Sequence, residues 1–263
     1  MRYVLVTGAA GGMGQAATRV FRDSGFAVFA LDKTLCEQQP GIIPIQADIT
    51  DSQSLENAFQ QISQITDTLW AIIHLAGIYT LDSLVEIDEA LLTRIFNINV
   101  FGAYRINKMF RPLLRPGSRI VITTSELAPL DPLPFTGLYA VTKSSLDKYA
   151  YALRMELQLL GIHVSVLRPG AVNTGMLGVS TDSLEYFCNT TNLYPCNAKR
   201  FRRIVERVEA RNIPPVKVAN RICKILHRKK PRYVYNINRN PLLLLLNILP
   251  RRIQTWLIGR ILK

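Results

Sequence analysis

Cysteine and histidine are scarce in this chain of 263 residues, which holds four of the first and three of the second. Cys36, Cys188, Cys196 and Cys223 form no CxxC pair, so neither a disulfide scaffold nor a cysteine metal site is expected. His74, His163 and His227 stand far apart with no HExxH, and no metal is implied. Such cysteine usage fits a reducing compartment, and a cytoplasmic location is the expectation. Long apolar runs are also missing. Residues 241–250 contain five consecutive leucines, but Asn247, Pro250, Arg251 and Arg252 stop the run well short of the roughly 20 residues that a spanning helix needs. The apolar stretch after Met1 is too short for a signal peptide and reads as a first strand. Finally, acid is nearly absent from the last quarter: residues 199–263 carry 18 Lys and Arg against 2 Asp and Glu, whereas the net charge of the whole chain is +13.

What is present is a chain 48% hydrophobic, enough for a sizeable core, with no linker rich in Ser, Gly or Pro to divide it. Short apolar segments at 3–7, 27–31, 42–45, 69–75, 119–124, 162–167 and 233–235 read as strands buried on both faces. Helical periods separate them. Tyr139, Lys143, Leu146, Ala150, Leu153, Leu157 and Leu160 fall on one stripe that Gly161 ends, and Leu91, Ile95, Ile98, Gly102, Ile106 and Met109 form another beside Asn99. This alternation predicts an α/β fold: a single domain with a doubly wound, mostly parallel, Rossmann-like sheet and helices on both faces.

The first strand runs into Thr7-Gly8-Ala9-Ala10-Gly11-Gly12-Met13-Gly14 and then a helical stretch. Glycines there allow a sharp turn, a close backbone approach to a pyrophosphate and tight packing of helix on strand, and the helix N-terminus offers donors to phosphate. The second strand ends at Asp32, where a carboxylate accepts hydrogen bonds from ribose hydroxyls and repels a 2′-phosphate. Gly11 supplies no cation ahead of Gly12, so NAD is favoured over NADP, with Lys33 as the one opposing feature.

With these motifs the sequence resembles the short-chain dehydrogenase/reductase family, near its hydroxysteroid and retinol dehydrogenases. The resemblance rests on Thr7-Gly8-x-x-x-Gly12-x-Gly14, Asp48-Ile49, Ala76-Gly77, Asn99 in Asn99-Val100-Phe101-Gly102, Ser125, Tyr139-x-x-x-Lys143 and Pro169-Gly170-x-Val172-x-Thr174, in the family's order. It implies an NAD-dependent oxidoreductase acting on a hydrophobic alcohol, ketone or aldehyde. It implies that Asp48 and Ile49 flank the adenine, that Ala76 and Gly77 line the adenosine side, and that Val172 and Thr174, after Pro169 and Gly170, hold the nicotinamide amide and pyrophosphate. Tyr139 is then the acid/base, Lys143 its activator and a cofactor contact, Ser125 the group that orients the substrate oxygen, and Asn99 the anchor of a water.

The chemistry has a separate check. Lowering the tyrosine pKa from about 10 by about three units needs about 4 kcal/mol. An ammonium about 4 Å away at an effective dielectric near 20 supplies about that much. Lys143 lies one helical turn from Tyr139, so the spacing predicts a depressed phenol.

Two departures from the family pattern stand out. Its usual spacing from serine to tyrosine lands on Glu126; Ser125 is one residue further back, an offset that an extra residue in loop 129–134 would absorb, with Thr124 as the runner-up hydroxyl. The family's Asn-Asn-Ala-Gly is His74-Leu75-Ala76-Gly77 here, and His74 reads as a core residue.

Residues 1–240 are assigned to the Rossmann domain, including a substrate lid at about 175–213. Met176, Leu177, Leu184, Tyr186, Phe187, Leu193, Tyr194 and Phe201 suit a greasy substrate such as a steroid, retinoid or lipid alcohol there. Residues 241–263 form a basic amphipathic extension in which Leu249, Ile253, Trp256, Leu257 and Ile261 share a face. That pattern suits peripheral contact with an anionic membrane, and equally a helix that closes the substrate pocket or packs on a second subunit; nucleic acid is the less favoured polyanion. The two striped helices favour a homodimer or homotetramer. A competing expectation is a dinucleotide-binding sensor or scaffold without turnover, held to membrane or nucleic acid by its tail.

Overall fold

The computed structural model describes the backbone of residues 1–263 and every side chain except those of 176–181 and 209, so Met176 and Leu177 of the expected lid lie outside the described side chains. Seven strands form one sheet: β1 (Arg2–Thr7), β2 (Phe26–Asp32), β3 (Ile42–Gln46), β4 (Leu69–His74), β5 (Leu114–Thr123), β6 (His163–Pro169) and β7 (Val234–Ile237). Their order is β3-β2-β1-β4-β5-β6-β7 and all neighbours are parallel. The order reverses between β1 and β4, which opens a crevice at the carboxyl ends of those strands.

Each face of the sheet carries its own core. On one side Leu5, Phe29, Leu31, Ile72 and Ile120 pack under α2 (Ser52–Ser63), α4 (Gly102–Phe110) and α5 (Gly137–Leu157). On the other, Val4, Val6, Val28, Ile73 and Val121 meet α1 (Gly12–Asp23) and α8 (Pro215–Leu226). Strands covered on both faces read as near-continuous apolar runs, as β1, β2 and β4 do, while β5 and β6 bury Ser118, Arg119 and Ser165 as well.

Two helical expectations need correcting. The stripe from Leu91 to Met109 is not one helix: α3 (Glu89–Phe96) passes through a π-helical turn at Asn97–Phe101 into α4. The wide turn shifts the inward register, so Asn99 is buried while Ile98 is only half-buried. In α5, Leu160 is exposed, because the helix tightens into a 3-10 turn at Gln158–Leu160 before Gly161 takes a left-handed φ of 69°.

The segment expected to form a lid folds into α6 (Gly175–Thr190) and α7 (Pro195–Glu209). The extension folds into α9 (Pro241–Ile248) and α10 (Arg251–Leu262) and packs back on the body. Leu262 is buried with Leu81, Leu184, Phe201 and Val205. Asp131 N donates to Asn247 Oδ1 at 2.7 Å, Arg251 pairs with Asp131 at 2.9 Å, and Asn197 Nδ2 donates to the Leu262 carbonyl at 2.7 Å. Among the described residues, no helix is long and apolar enough to cross a membrane.

Candidate active site

Two connected cavities lie at the carboxyl ends of the strands. The larger, about 1000 Å³, is lined by Gly8, Gly12, Met13 and Gly14 of the first loop, by Asp32, by Asp48 and Ile49, by Ala76 and Gly77, and by Thr174. The smaller, about 190 Å³, is lined by Ser125, Tyr139, Lys143, Pro169, Gly170 and Val172, with Leu127, Leu133, Phe201, Ile204 and Val205 as its apolar wall. Met13, Leu75, Gly77, Tyr79 and Thr174 belong to both, so the two open onto one another.

The glycine loop leaves no room for side chains. Gly8 has a φ of +71°, and a Cβ there would stand 2.5 Å from Ala76 N; a Cβ on Gly14 would strike the Gly8 carbonyl. This backbone lies at the N-terminus of α1, where free N–H groups and the helix dipole favour phosphate. Asp32 ties the loop to the end of β2: Oδ2 accepts from Ala10 N and Oδ1 from Thr34 N, both at 3.0 Å. Asp48 Oδ1 accepts from Thr50 N at 2.8 Å and Thr50 Oγ1 at 2.7 Å, bonds that hold its carboxyl below the ordinary range. Ile49 seats on Gly102, where a Cβ would meet its Cδ1 at 2.6 Å. A dinucleotide therefore fits: a bare glycine cradle for phosphate, a carboxylate at the ribose end and an apolar slot beyond.

Tyr139 and Lys143 occupy successive turns of α5 on its inward face and are 8% and 5% exposed. A hydrogen bond joins Tyr139 to Ser125. Thr124 instead donates its hydroxyl to Asp147 Oδ1 at 3.2 Å, so of the two candidate hydroxyls Ser125 is the one facing the phenol. The expected depression of Tyr139 is not found. Burial pushes its pKa up to about 12, with the Ser125 bond opposing, and burial pulls Lys143 down to about 8. Lys143 Nζ lies 5.6 Å from the Tyr139 ring centroid and donates to the Thr123 carbonyl at 3.3 Å. Loss of water sets both directions, and helical spacing alone does not report it.

Asn99 lines neither cavity. Its Oδ1 accepts from Ile78 N at 2.8 Å, and its Nδ2 donates to the Ile78 carbonyl at 2.9 Å and Thr142 Oγ1 at 3.1 Å. The side chain thus clamps the strand end after Gly77 to α5. His74 is a core residue: it is 4% exposed, shares a 2.9 Å bond with Asn107 Oδ1, and burial lowers its pKa to about 4. Among the described residues no group of three or more His, Cys, Asp or Glu could hold a metal.

Several pocket residues escaped sequence reasoning. Tyr79 packs edge-on against Tyr139 with ring centroids 4.5 Å apart. Leu243 of α9 lines the smaller pocket, so the inner side of the extension closes that pocket. Glu126, 6% exposed, also lines it; Oε2 accepts from Asn240 N at 2.6 Å, and burial raises the carboxyl pKa. The only available signal was the serine spacing that landed on Glu126. Behind the site, Arg168 Nε and Nη2 reach Asp147 Oδ1 and Oδ2 at 2.9 and 2.7 Å, joining β6 to α5 one turn beyond Lys143.

Comparison with known proteins agrees with this geometry. The family described as short chain dehydrogenase matches residues 2–184. A 3-ketodihydrosphingosine reductase of Bacteroides thetaiotaomicron is 26% identical over 231 residues, 88% of this chain and 85% of that protein. Estradiol 17-beta-dehydrogenase 2 of Mus musculus is 31% identical over 189 residues, 66% of this chain but only 49% of that longer protein. A short chain dehydrogenase family protein from Francisella tularensis superposes with a TM-score of 0.75 at 21% identity, covering 90% of this chain and 97% of the other.

Proposed function

Since the chain belongs to the short-chain dehydrogenases, a family of NAD(P)-dependent oxidoreductases, we propose that it exchanges hydride between NAD and a hydrophobic secondary alcohol or ketone, or an alcohol or aldehyde, of steroid, retinoid or lipid type. The observation that carries this reading is the shared wall: Tyr139, Ser125 and Lys143 face an apolar pocket that opens into the glycine-loop cleft. Nicotinamide, when bound, supplies or accepts the hydride. Ser125 holds the substrate oxygen beside the Tyr139 hydroxyl. A phenol near 12 is fully protonated at neutral pH, so in reduction Tyr139 is ready to give its proton to the carbonyl oxygen. Oxidation requires the phenolate, and protonated Lys143 is the chain's own cation for it. Asn99 fixes the wall at Ile78, and Asp32 selects NAD by repelling a 2′-phosphate. The relatives named for 3-ketodihydrosphingosine and estradiol support a greasy substrate.

Two further features belong to the same reading. Leu242, Leu245, Ile248, Ile253 and Trp256 are exposed on the outer side of α9 and α10, with Arg251, Arg252 and Arg260 alongside, a surface suited to an anionic lipid interface beside the pocket. Exposed Phe101, Tyr104, Val141, Tyr151 and Met155 around α4 and α5 suit pairing of identical subunits. The test is NADH consumption with a panel of steroid, retinoid and fatty ketones and aldehydes. Tyr139→Phe should lower turnover by at least about a hundredfold with NADH affinity within a few fold; equal loss of both would make the tyrosine structural.

A further inference from the structure

The smaller pocket is apolar apart from the catalytic groups, Tyr79 and the threonines on its wall and one carboxyl, that of Glu126. A carboxylate offers about four acceptor positions on two oxygens. Oε2 is engaged by the Asn240 N–H at 2.6 Å. Oε1 lies against Gly170 on the pocket wall, where a Cβ would come within 2.9 Å of it. Among the described residues no Lys, Arg or His reaches Glu126 at ion-pair distance. Arg239 acts on the carboxyl from beyond that distance, and a buried carboxyl is costly unless its acceptors find donors. Glu126 follows Ser125 directly, and both residues line this pocket.

We infer that Glu126 is a specificity-determining residue whose free carboxyl oxygen accepts a hydrogen bond from a hydroxyl or amino group on the carbon next to the reacting one, so that the enzyme prefers amphiphilic α-hydroxy or α-amino ketones, and the corresponding alcohols, to plain ketones. This rests on reading the smaller pocket as the substrate site. Ser125 holds the carbonyl oxygen, Glu126 holds the neighbouring donor, and the alkyl part lies against Phe201, Ile204, Val205 and Leu243. A site built to pair a polar group discriminates strongly against the analogue that lacks it, because the buried acceptor is then left unmet.

The experiment compares three matched long-chain ketones bearing hydrogen, hydroxyl or ammonium on the α carbon, with wild type and Glu126→Gln. In the variant the Asn240 N–H claims the amide oxygen, which turns the amide NH2 toward the pocket and replaces the acceptor there by a donor. For wild type, kcat/KM should be about tenfold or more higher for at least one substituted ketone than for the plain one. In Glu126→Gln that ratio should fall to about one or below for the ammonium ketone, which has only donors to offer the amide NH2, whereas a hydroxyl can still accept from it. Binding of the same ketones to the NADH-loaded protein is measured in parallel, so the preference is read even for a ketone that is not reduced. A wild-type ratio near one in both measurements overturns the inference, as does a variant that weakens all three ketones equally, which would leave Glu126 as an anchor of the extension. Turnover of the plain ketone bears on the oxidoreductase reading alone.

Discussion

Replacing Asp147 by Ala probes how the fold holds the helix that carries Tyr139 and Lys143. Asp147 and Arg168 have side chains only 12% and 16% exposed and are joined by two bonds of 2.7 and 2.9 Å. The substitution leaves the Arg168 guanidinium largely buried without its carboxylate and deprives the Thr124 hydroxyl of its acceptor. Breaking such a pair from one side costs about 3–5 kcal/mol, most of it the penalty of the uncompensated charge. At about 2–4 °C per kcal/mol for a domain of this size, the melting midpoint should fall by about 6–20 °C. Removing both charges with Arg168→Met should recover much of that loss, because no unpaired ion remains. Urea midpoints and thermal melts of the two single variants and the double variant give the coupling. A single variant that loses less than about 1 kcal/mol, or a double variant that loses the sum of the singles, would refute the reasoning and mean that water solvates Arg168 in place.

Three other outcomes are expected. Asp32→Ala should erode the preference for NAD over NADP by about tenfold or more, read as the ratio of the two kcat/KM values, since it removes the carboxylate facing a 2′-phosphate; an unchanged ratio would mean the ribose contact lies elsewhere. Burial lowers Lys143 to about 8, so its ammonium is present below that pH and lost above it; kcat/KM should decline on the alkaline side of about 8, and the residual activity of Lys143→Arg should lack that limb. Combined Leu245→Ser and Trp256→Ser, at residues each 61% exposed, should abolish co-sedimentation with phosphatidylserine vesicles without lowering the melting midpoint by more than about 1 kcal/mol equivalent; vesicle binding that persists would move the lipid contact off the extension.

The parallel sheet was legible because strands buried on both faces leave uninterrupted apolar runs, and the cofactor cleft because only glycine tolerates the Gly8 and Gly14 backbone contacts. That Tyr139 and Lys143 share the inward face of α5 was legible from helical spacing, since four residues return the chain to the same face. The π-turn at Asn97–Phe101 was not, because the apolar period runs through it while the extra residue rotates Asn99 inward to clamp Ile78. Glu126 looked like an offset in a motif, and its contact with Asn240 joins residues far apart in the chain.

By itself, then, the order of residues determined the layers of this protein, its glycine loop and the shared helix face of Tyr139 and Lys143, all of which follow from local geometry that repeats along an element. Only the tertiary structure decided that Tyr139 is raised rather than lowered, that the extension turns Leu243 into the pocket, and that a carboxyl stands beside Ser125. Those outcomes depend on how much water each group loses and on which distant segment covers it, and neither quantity exists until the chain has packed.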